Sequence, residues 1–507
     1  MSHSPASTEQ GVTLTLDGHA ILFPTLPYDI KARADAAVAD TQLQSFVEKA
    51  TRLRDGNRKR VCGEVFGNNY DAMRELAGQI KQHTLDHLDY YLEQFTAAAE
   101  STGAKVHFAV DAEAANAICV DIAKANNCKL CVKSKSMVTE ETRLVPALEA
   151  IGVETVETDL GEFIIQVDHD APSHIVQPMI HKDRASVGRA FQREMGVPYT
   201  DDPETLTQIA RKFLREKYRR ADLGLTGANF LVAETGTAVT VTNEGNGRLC
   251  SSVPRVQVVF VGIEKLVPKL EHLGVLLKLL ARSATNQPLT CYTHFMTGPK
   301  RPHEPDGPEE LHIILVDNGR TDILHPETRE MLRCIRCGAC LNACPVYRKI
   351  GGHAYGAVYS GPIGALITPM FKGIGNFKDL PQASSLCGAC YEACPVKINI
   401  PKYLVQLRGE MVKRKMNGLA DSVFYGAWAA SLKNALTYRL GQWAQRWMLR
   451  GRAERTTEAS KYVSRAWVRD APGPMKGWTS QRDMPAPPQA SFRDWWATRE
   501  KEGDKRG

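Results

Sequence analysis

Seven of the chain's 13 cysteines fall within 61 residues, in two runs. The first is Cys334-x2-Cys337-x2-Cys340-x3-Cys344-Pro345. The second, Cys387-x2-Cys390-x3-Cys394-Pro395, is a shortened copy. Thiolates at this spacing wrap cubane iron–sulfur clusters, with the cysteine before proline reaching across to the other cluster. Zinc sites use paired C-x2-C units instead, and disulfide frameworks belong to small secreted chains with a much higher cysteine density. The cross-over rule assigns Cys334, Cys337, Cys340 and Cys394 to cluster one. It assigns Cys344, Cys387 and Cys390 to cluster two. Aligning Cys394 on Cys344 puts Ser384 where the copy needs a fourth cysteine. Cluster two is therefore either a three-iron centre or a cubane whose last iron takes the Ser384 oxygen, water or a distant side chain. Gly338, Ala339, Gly388 and Ala389 let backbone amides approach the sulfides and tune the potential. Arg336 and Lys397 either offset cluster charge or are solvated cations. Such a chain carries electrons.

Something must hold those runs. A chain of 507 residues with 43% hydrophobic content has room for two to four domains. The net charge of +7 is uneven. Residues 401–507 hold 21 Lys/Arg against 10 Asp/Glu, and all seven tryptophans, Trp428 through Trp496. A basic, Trp-rich segment suits a partner protein or a membrane surface. No nucleic-acid motif accompanies it. No apolar stretch reaches 18 residues, and the start, Met1-Ser-His-Ser-Pro5, has no secretory pattern. With oxygen-sensitive clusters and unpaired thiols, the expected location is the reducing cytoplasm, with peripheral contact at the inner face of the membrane as an option.

The rest of the chain alternates. Residues 1–69 read as a lead, with an extended piece at Val12–Leu16, followed by helices. Residues 70–300 read as an α/β domain. Apolar spacing gives helices at Asp40–Leu53 and Tyr70–Glu100. Strands are expected at Lys105–Val110, Lys129–Lys133, Val153–Glu157, Phe163–Val167, Leu225–Glu234, Ala238–Thr242 and Val256–Ile263. Helices over Ala112–Ala125, Glu140–Ile151 and Val267–Arg282 fall between and after them. That order argues a parallel sheet covered by helices. Residues 298–309, rich in Pro and Gly, read as a linker or ordered loop. A helical two-cluster module follows at 310–405, then the basic Trp-rich region at 406–507, helical first and Pro-rich later.

A second site is expected where strands of the α/β domain end. Lys133-Ser134-Lys135-Ser136 follows a strand and precedes a helix, which suits an anion or substrate. The same residues also make an ordinary helix start. Glu234, Asn243, Glu244 and Arg248 form a polar bundle punctuated by glycines, equally compatible with hairpin turns. Cys128 and Cys131 read as structural, and His174 and His181 as hydrogen-bonded histidines. No G-x-G-x-x-G follows a strand, so nothing supports a tightly bound dinucleotide.

Seven stretches together resemble the lactate utilization protein B family, the iron–sulfur subunit of a bacterial L-lactate oxidation system. They are KSKSMVTEE (133–141), ETDLGEFIIQ (157–166), PSHIVQP (172–178), TGANFLVAETGT (226–237), TNEGNGR (242–248), CIRCGACLNACPVY (334–347) and SLCGACYEACPVKI (385–398). The resemblance implies a fold like that of sugar-phosphate isomerases and CoA-transferases, followed by an α-helical ferredoxin module. It implies two [4Fe–4S] clusters, a cysteine-rich redox subunit and a small α/β-domain subunit as partners, and electron transport in lactate catabolism. A redox subunit for another 2-hydroxy acid such as glycolate is the alternative. A metal-free binding protein is a third reading, opposed by the intact first run.

Overall fold

The computed structural model describes residues 21–454, 462–480 and 482–503. The expected Val12–Leu16 piece lies outside them. The described chain divides into one body ending at Arg414 and a second, Lys415 onward.

The first body is built on ten strands: β1 Lys105–Ala109, β2 Leu130–Lys133, β3 Glu154–Glu157, β4 Leu223–Gly227, β5 Phe230–Val232, β6 Thr237–Thr242, β7 Val256–Gly262, β8 Leu266–Val267, β9 Tyr292–Met296 and β10 Glu310–Val316. Six of them make a wholly parallel sheet in the order β1-β10-β7-β4-β2-β3. A four-stranded sheet, β8-β5-β6-β9, is hydrogen-bonded separately and shares a buried core with β7 and β10 through Leu231, Ala238, Leu266 and Met296. The central strands are apolar and buried, β7 along all seven residues, as expected for a parallel sheet covered on both faces. One core joins helix Ala112–Ala125 to β4, β7 and β10 through Cys119, Leu225, Val258 and Ile314, and it contains Cys128 and Cys131. Another places Phe163, Phe191 and Leu214 over β2 and β3.

Four elements differ from their expectation. Tyr70–Glu100 is broken at His87 into helices Tyr70–Asp86 and Leu88–Ser101. Phe163–Val167 is part of a helix, Leu160–Val167, not a strand. The Asp159 carboxylate caps it by accepting from the Gly161 and Glu162 amides. Because six of its eight residues are buried, no polar face breaks the apolar run, and periodicity could not separate helix from strand. Leu225–Glu234 is split between β4 and β5, which belong to different sheets. Glu140–Ile151 becomes two short helices, Met137–Thr142 and Leu144–Glu149, divided at Arg143 with φ 59°. The α/β body also runs past residue 300. β10 lies between β1 and β7, in register from Lys105–His312 and Glu310–Val256.

The cysteine module follows at once, on helices Ala339–Ala343, Pro345–Ile350, Gly361–Lys372, Ala389–Ala393 and Ile400–Lys413. Helix Thr41–Phe66 packs against its first two helices.

The second body holds helices Leu419–Lys433 and Ala435–Arg450, a small strand pair, and helix Phe492–Gly503. Its core is slight: Leu449, Ala466, Val468, Ala471 and Ala486. Helix Leu419–Lys433 buries no residue. Val423, Phe424, Trp428, Trp443 and Trp447 are exposed. No helix among the described residues is long and apolar enough to cross a membrane.

Candidate functional site: two thiolate nests on the edge of a parallel sheet

The two cysteine runs adopt one local conformation twice. Arg336 and Leu386 both take positive φ, 59° and 54°, as do Gly338 and Gly388, 73° and 85°. These turns bring successive thiols to the same side. Each run ends in a cysteine before proline, whose sulfur accepts an amide: Tyr347 N to Cys344 Sγ at 3.5 Å, and Ile398 N to Cys394 Sγ at 3.4 Å. At the start of the first run the Arg336 amide points at Cys334 Sγ, 3.4 Å away. At the matching place in the second, the Leu386 amide donates to Ser384 Oγ at 3.1 Å. In the second run a serine oxygen thus accepts the amide that a sulfur accepts in the first.

Cys334, Cys337, Cys340 and Cys394 line one small apolar cavity with Ile175, Ile363 and Val396. Cys390 lies beside Cys344 and Cys387, and burial followed by the Cys344 neighbour pushes its thiol up to about 12. Burial followed by Cys394 pushes Cys337 up as well. Crowded, buried thiols without a cation are poor acids. Iron coordinates the thiolate and removes that penalty. Seven soft donors, converging amides and an apolar wall fit cubane clusters.

The module sits on the carboxyl ends of the parallel strands, the edge where such sheets bind ligands. Arg320, after β10, is fully buried. Its two terminal nitrogens donate to both Glu141 oxygens at 2.9 Å, and Nε donates to Glu264 Oε2 at 2.6 Å. Tyr359 and Asn318 also donate to Glu141, each at 2.6 Å. Arg336 is not solvated. It lies 4.4 Å over the Tyr359 ring and donates to Glu264 Oε1 at 3.3 Å. Burial alone would raise Glu264, but Arg320, Lys265 and Arg336 outweigh it and hold the carboxyl at about 2. Gly262 is required here, since a Cβ would stand 2.0 Å from Glu264 Oε2. Lys397, by contrast, pairs with Asp71 and Glu75 at the surface.

Beside this network lies a cavity of about 360 Å3. Ser134, Lys135 and Ser136 line it, as do Asn243 and Glu244, with Asp159, Asn229, Asn246, Lys265 and Tyr359. Arg336 and Ile175 border both this cavity and the Cys334 cavity. Lys135 Nζ donates to the Val176 carbonyl at 2.8 Å. Glu244 accepts from the Leu160 amide at 3.0 Å at the exposed rim. Three expected residues do not line the cavity. Lys133 is fully buried between Glu157 (2.5 Å) and Glu140 (3.1 Å). Burial disfavours its charge, but those two carboxylates outweigh burial and keep its pKa raised. Glu234 accepts from the Leu270 amide at the start of helix Leu270–Ala284. Arg248 is exposed on helix Asn246–Ser252, near His294. Sequence reasoning missed Lys265, Tyr359 and Arg320, single residues in apolar or ordinary surroundings. Only the placement of Lys265 just after the expected strand Val256–Ile263 hinted at the sheet edge.

His181, Asp170 and His353 cluster closely enough to suggest a metal site. Their atoms are already engaged. His181 bonds Asp170 at 2.9 Å and Ser173 at 2.8 Å, His353 bonds the Ala171 carbonyl at 2.7 Å, and Lys182 sits 2.6 Å from Asp170. This is a polar junction holding the loop 168–183 to the cysteine module. His174 Nδ1 accepts from two backbone amides, of Val176 and Gln177.

Comparison with known proteins gives a consistent picture. Residues 92–316 match the LUD domain, 330–398 the 4Fe-4S dicluster domain, and 405–501 the C-terminal domain of lactate utilisation protein B. Lactate utilization protein B of Bacillus cereus (strain AH820) is 44% identical over 474 residues, covering 93% of this chain and 98% of its own. Lactate utilization protein B 2 of Bacillus mycoides (strain KBAB4) matches equally well. A crystal structure of a DUF162 family protein from Deinococcus radiodurans aligns at 16% identity and a TM-score of 0.26, covering 45% of this chain and 98% of that one.

Proposed function

Because the chain belongs to the lactate utilization protein B family, we propose that it is the iron–sulfur, electron-carrying subunit of a system that oxidises L-lactate to pyruvate. The observation that carries this reading is the pair of matched cysteine turns seated on the carboxyl edge of the sheet, beside a polar cavity. Cys334, Cys337, Cys340 and Cys394 would hold one [4Fe–4S] cluster. Cys344, Cys387 and Cys390 would hold the other, with Ser384 Oγ as its fourth donor. When bound, the clusters accept and pass single electrons. The chain's own residues set the conditions for that. Amides of Arg336, Tyr347 and Ile398 donate to ligand sulfurs, Arg336 offers positive charge beside Cys334, and Ile175, Ile363 and Val396 exclude water. Ser134, Lys135, Ser136, Asn243 and Glu244 belong to the cavity in which substrate or an anion would sit.

A subunit that only passes electrons needs partners. Those expected are a cysteine-rich redox subunit and a small subunit with an α/β domain like this one. The first body would share the fold of sugar-phosphate isomerases and CoA-transferases. Anaerobic co-purification of the complex, followed by addition of L-lactate, tests the reading. Cluster reduction seen by EPR with lactate supports it. Reduction by glycolate and not by lactate would move the chain to another 2-hydroxy acid. No reduction by either would refute it.

A further inference from the structure

The cavity at the sheet edge contains two donors that the protein itself does not use. Lys265, just after β7, is 7% exposed and lines the cavity, yet its ammonium has no hydrogen bond or ion pair among the described residues. The Ser134 hydroxyl, on a residue 4% exposed, likewise has no partner among them. A buried ammonium without an ion-pair or hydrogen-bond partner is costly. The adjacent carboxylates are committed to other donors, and Glu264 acts on Lys265 only through space, without an ion pair or hydrogen bond. Glu264 gives its two oxygens to Arg320 and Arg336, and Glu141 is taken by Arg320, Tyr359 and Asn318. Around this edge four cations, Arg320, Arg336, Lys265 and Lys81, face two carboxylates, and Lys81 is taken up by the Glu264 and Leu266 carbonyls. Arg336 lies inside the first cysteine run, where a cluster supplies negative charge. Lys265 faces the cavity, where no carboxylate of the described residues forms an ion pair with it.

We propose that Lys265 is the charge partner of a carboxylate, and that this cavity binds a small 2-hydroxy or 2-oxo acid by its carboxylate, with the Ser134 hydroxyl as a second donor. The choice of acid rests on the functional reading above. The presence of an anion site rests on Lys265 alone. Beside Lys265, the lining sets Arg54, Lys135 and Arg336 against Asp159 and Glu244, so its charge does not by itself separate a carboxylate from phosphate, and the titration includes both. The cavity is roomier than a three-carbon acid needs, so longer acids belong in the test. A carboxylate there would also lie near Arg336 and the Cys334 sulfur, so its arrival changes the field at cluster one.

Anaerobically purified full-length holoprotein is titrated by calorimetry with L-lactate, 2-hydroxyhexanoate, neutral lactamide and inorganic phosphate. The expected result is one molecule of hydroxy acid bound per chain, with lactamide at least tenfold weaker. Lys265→Gln should weaken the acid at least tenfold, while its iron content and ligand-free EPR spectrum match the wild type. Equal affinity in Lys265→Gln, binding of phosphate alone, or no acid bound by the wild type overturns the proposal. Failure here leaves lactate-driven cluster reduction in the assembled complex free to succeed. Lys265-dependent binding with no such reduction would instead sink the functional reading and keep the site.

Discussion

Cys394 belongs to the second run by sequence and to the first run's cavity by position. Cys394→Ala should therefore abolish the EPR signal of the cluster held by Cys334, Cys337 and Cys340, and lower bound iron by about half. A change confined to the other cluster's signal would refute the cross-over assignment. Ser384 poses the complementary question. Its oxygen accepts the amide that a sulfur accepts in the matched turn, so Ser384→Cys should convert the second centre toward an all-thiolate cubane with a shifted potential. An unchanged low-temperature EPR spectrum removes Ser384 from the ligand set. Lys265 gives a pH prediction. Burial, reinforced by Arg336 and opposed by Glu264 and Cys334, pushes its ammonium down to about 8. An anion is held only by the protonated form. Affinity should be flat below that value and fall as pH rises through it, a trend that Lys265→Gln should lose. The cysteines, and Ser384 as the residue at the matching place in the second turn, were legible because spacing alone sets those positions. Lys265 was not, because a lone lysine in Gly-Ile-Glu-Lys-Leu-Val resembles any solvated cation until the fold buries it.

Among the elements, the ion pairs around Arg320 join β10, helix Met137–Thr142 and the segment after β7 to the cysteine module through Tyr359. Such a network adds little over an apolar core, but removing one member strands a buried charge. Glu141→Ala should cost about 3–5 kcal/mol, read by anaerobic chemical denaturation, and a loss under 1 kcal/mol would show that Arg320 finds water instead. Element by element, the sequence told strand from helix where polar and apolar residues alternate with a clear period. Helix Ala112–Ala125 has its expected bounds, with Asp111 as its cap. It failed at Phe163–Val167, where burial removed the polar face, and at β10, where Glu-Leu-His-Ile-Ile-Leu-Val follows a Pro-rich loop and looked like the start of something new. Lys133 and Glu141 sat in a motif that was read correctly as a strand end, but their charges are consumed internally, a pairing that only tertiary contacts reveal.

At the scale of the molecule, the region after Arg414 forms its own compact unit, carries no cysteine, and exposes Phe424, Trp428, Trp443 and Trp447. Large rings left in water, with basic charge around them, suit attachment to something larger. Deletion after residue 414 should keep both clusters, measured as iron and sulfide per chain, while abolishing assembly with partner subunits or membrane association. A truncated chain that co-purifies and fractionates like the full one would show the region to be dispensable for attachment. The first body carries a different consequence, for how the protein is made. The strand between β1 and β7 is the last of the sheet to leave the ribosome, and Lys105 waits some 200 residues for His312. Until then the nascent chain has two apolar strands with open edges and a gap between them, a state prone to pair with neighbours. A chain stopped before residue 310 should aggregate, and expression should depend on chaperones that shield those edges. Because Cys334 emerges only 18 residues after Val316, the order of synthesis has the sheet complete, and its edge formed, before the first cluster can receive iron.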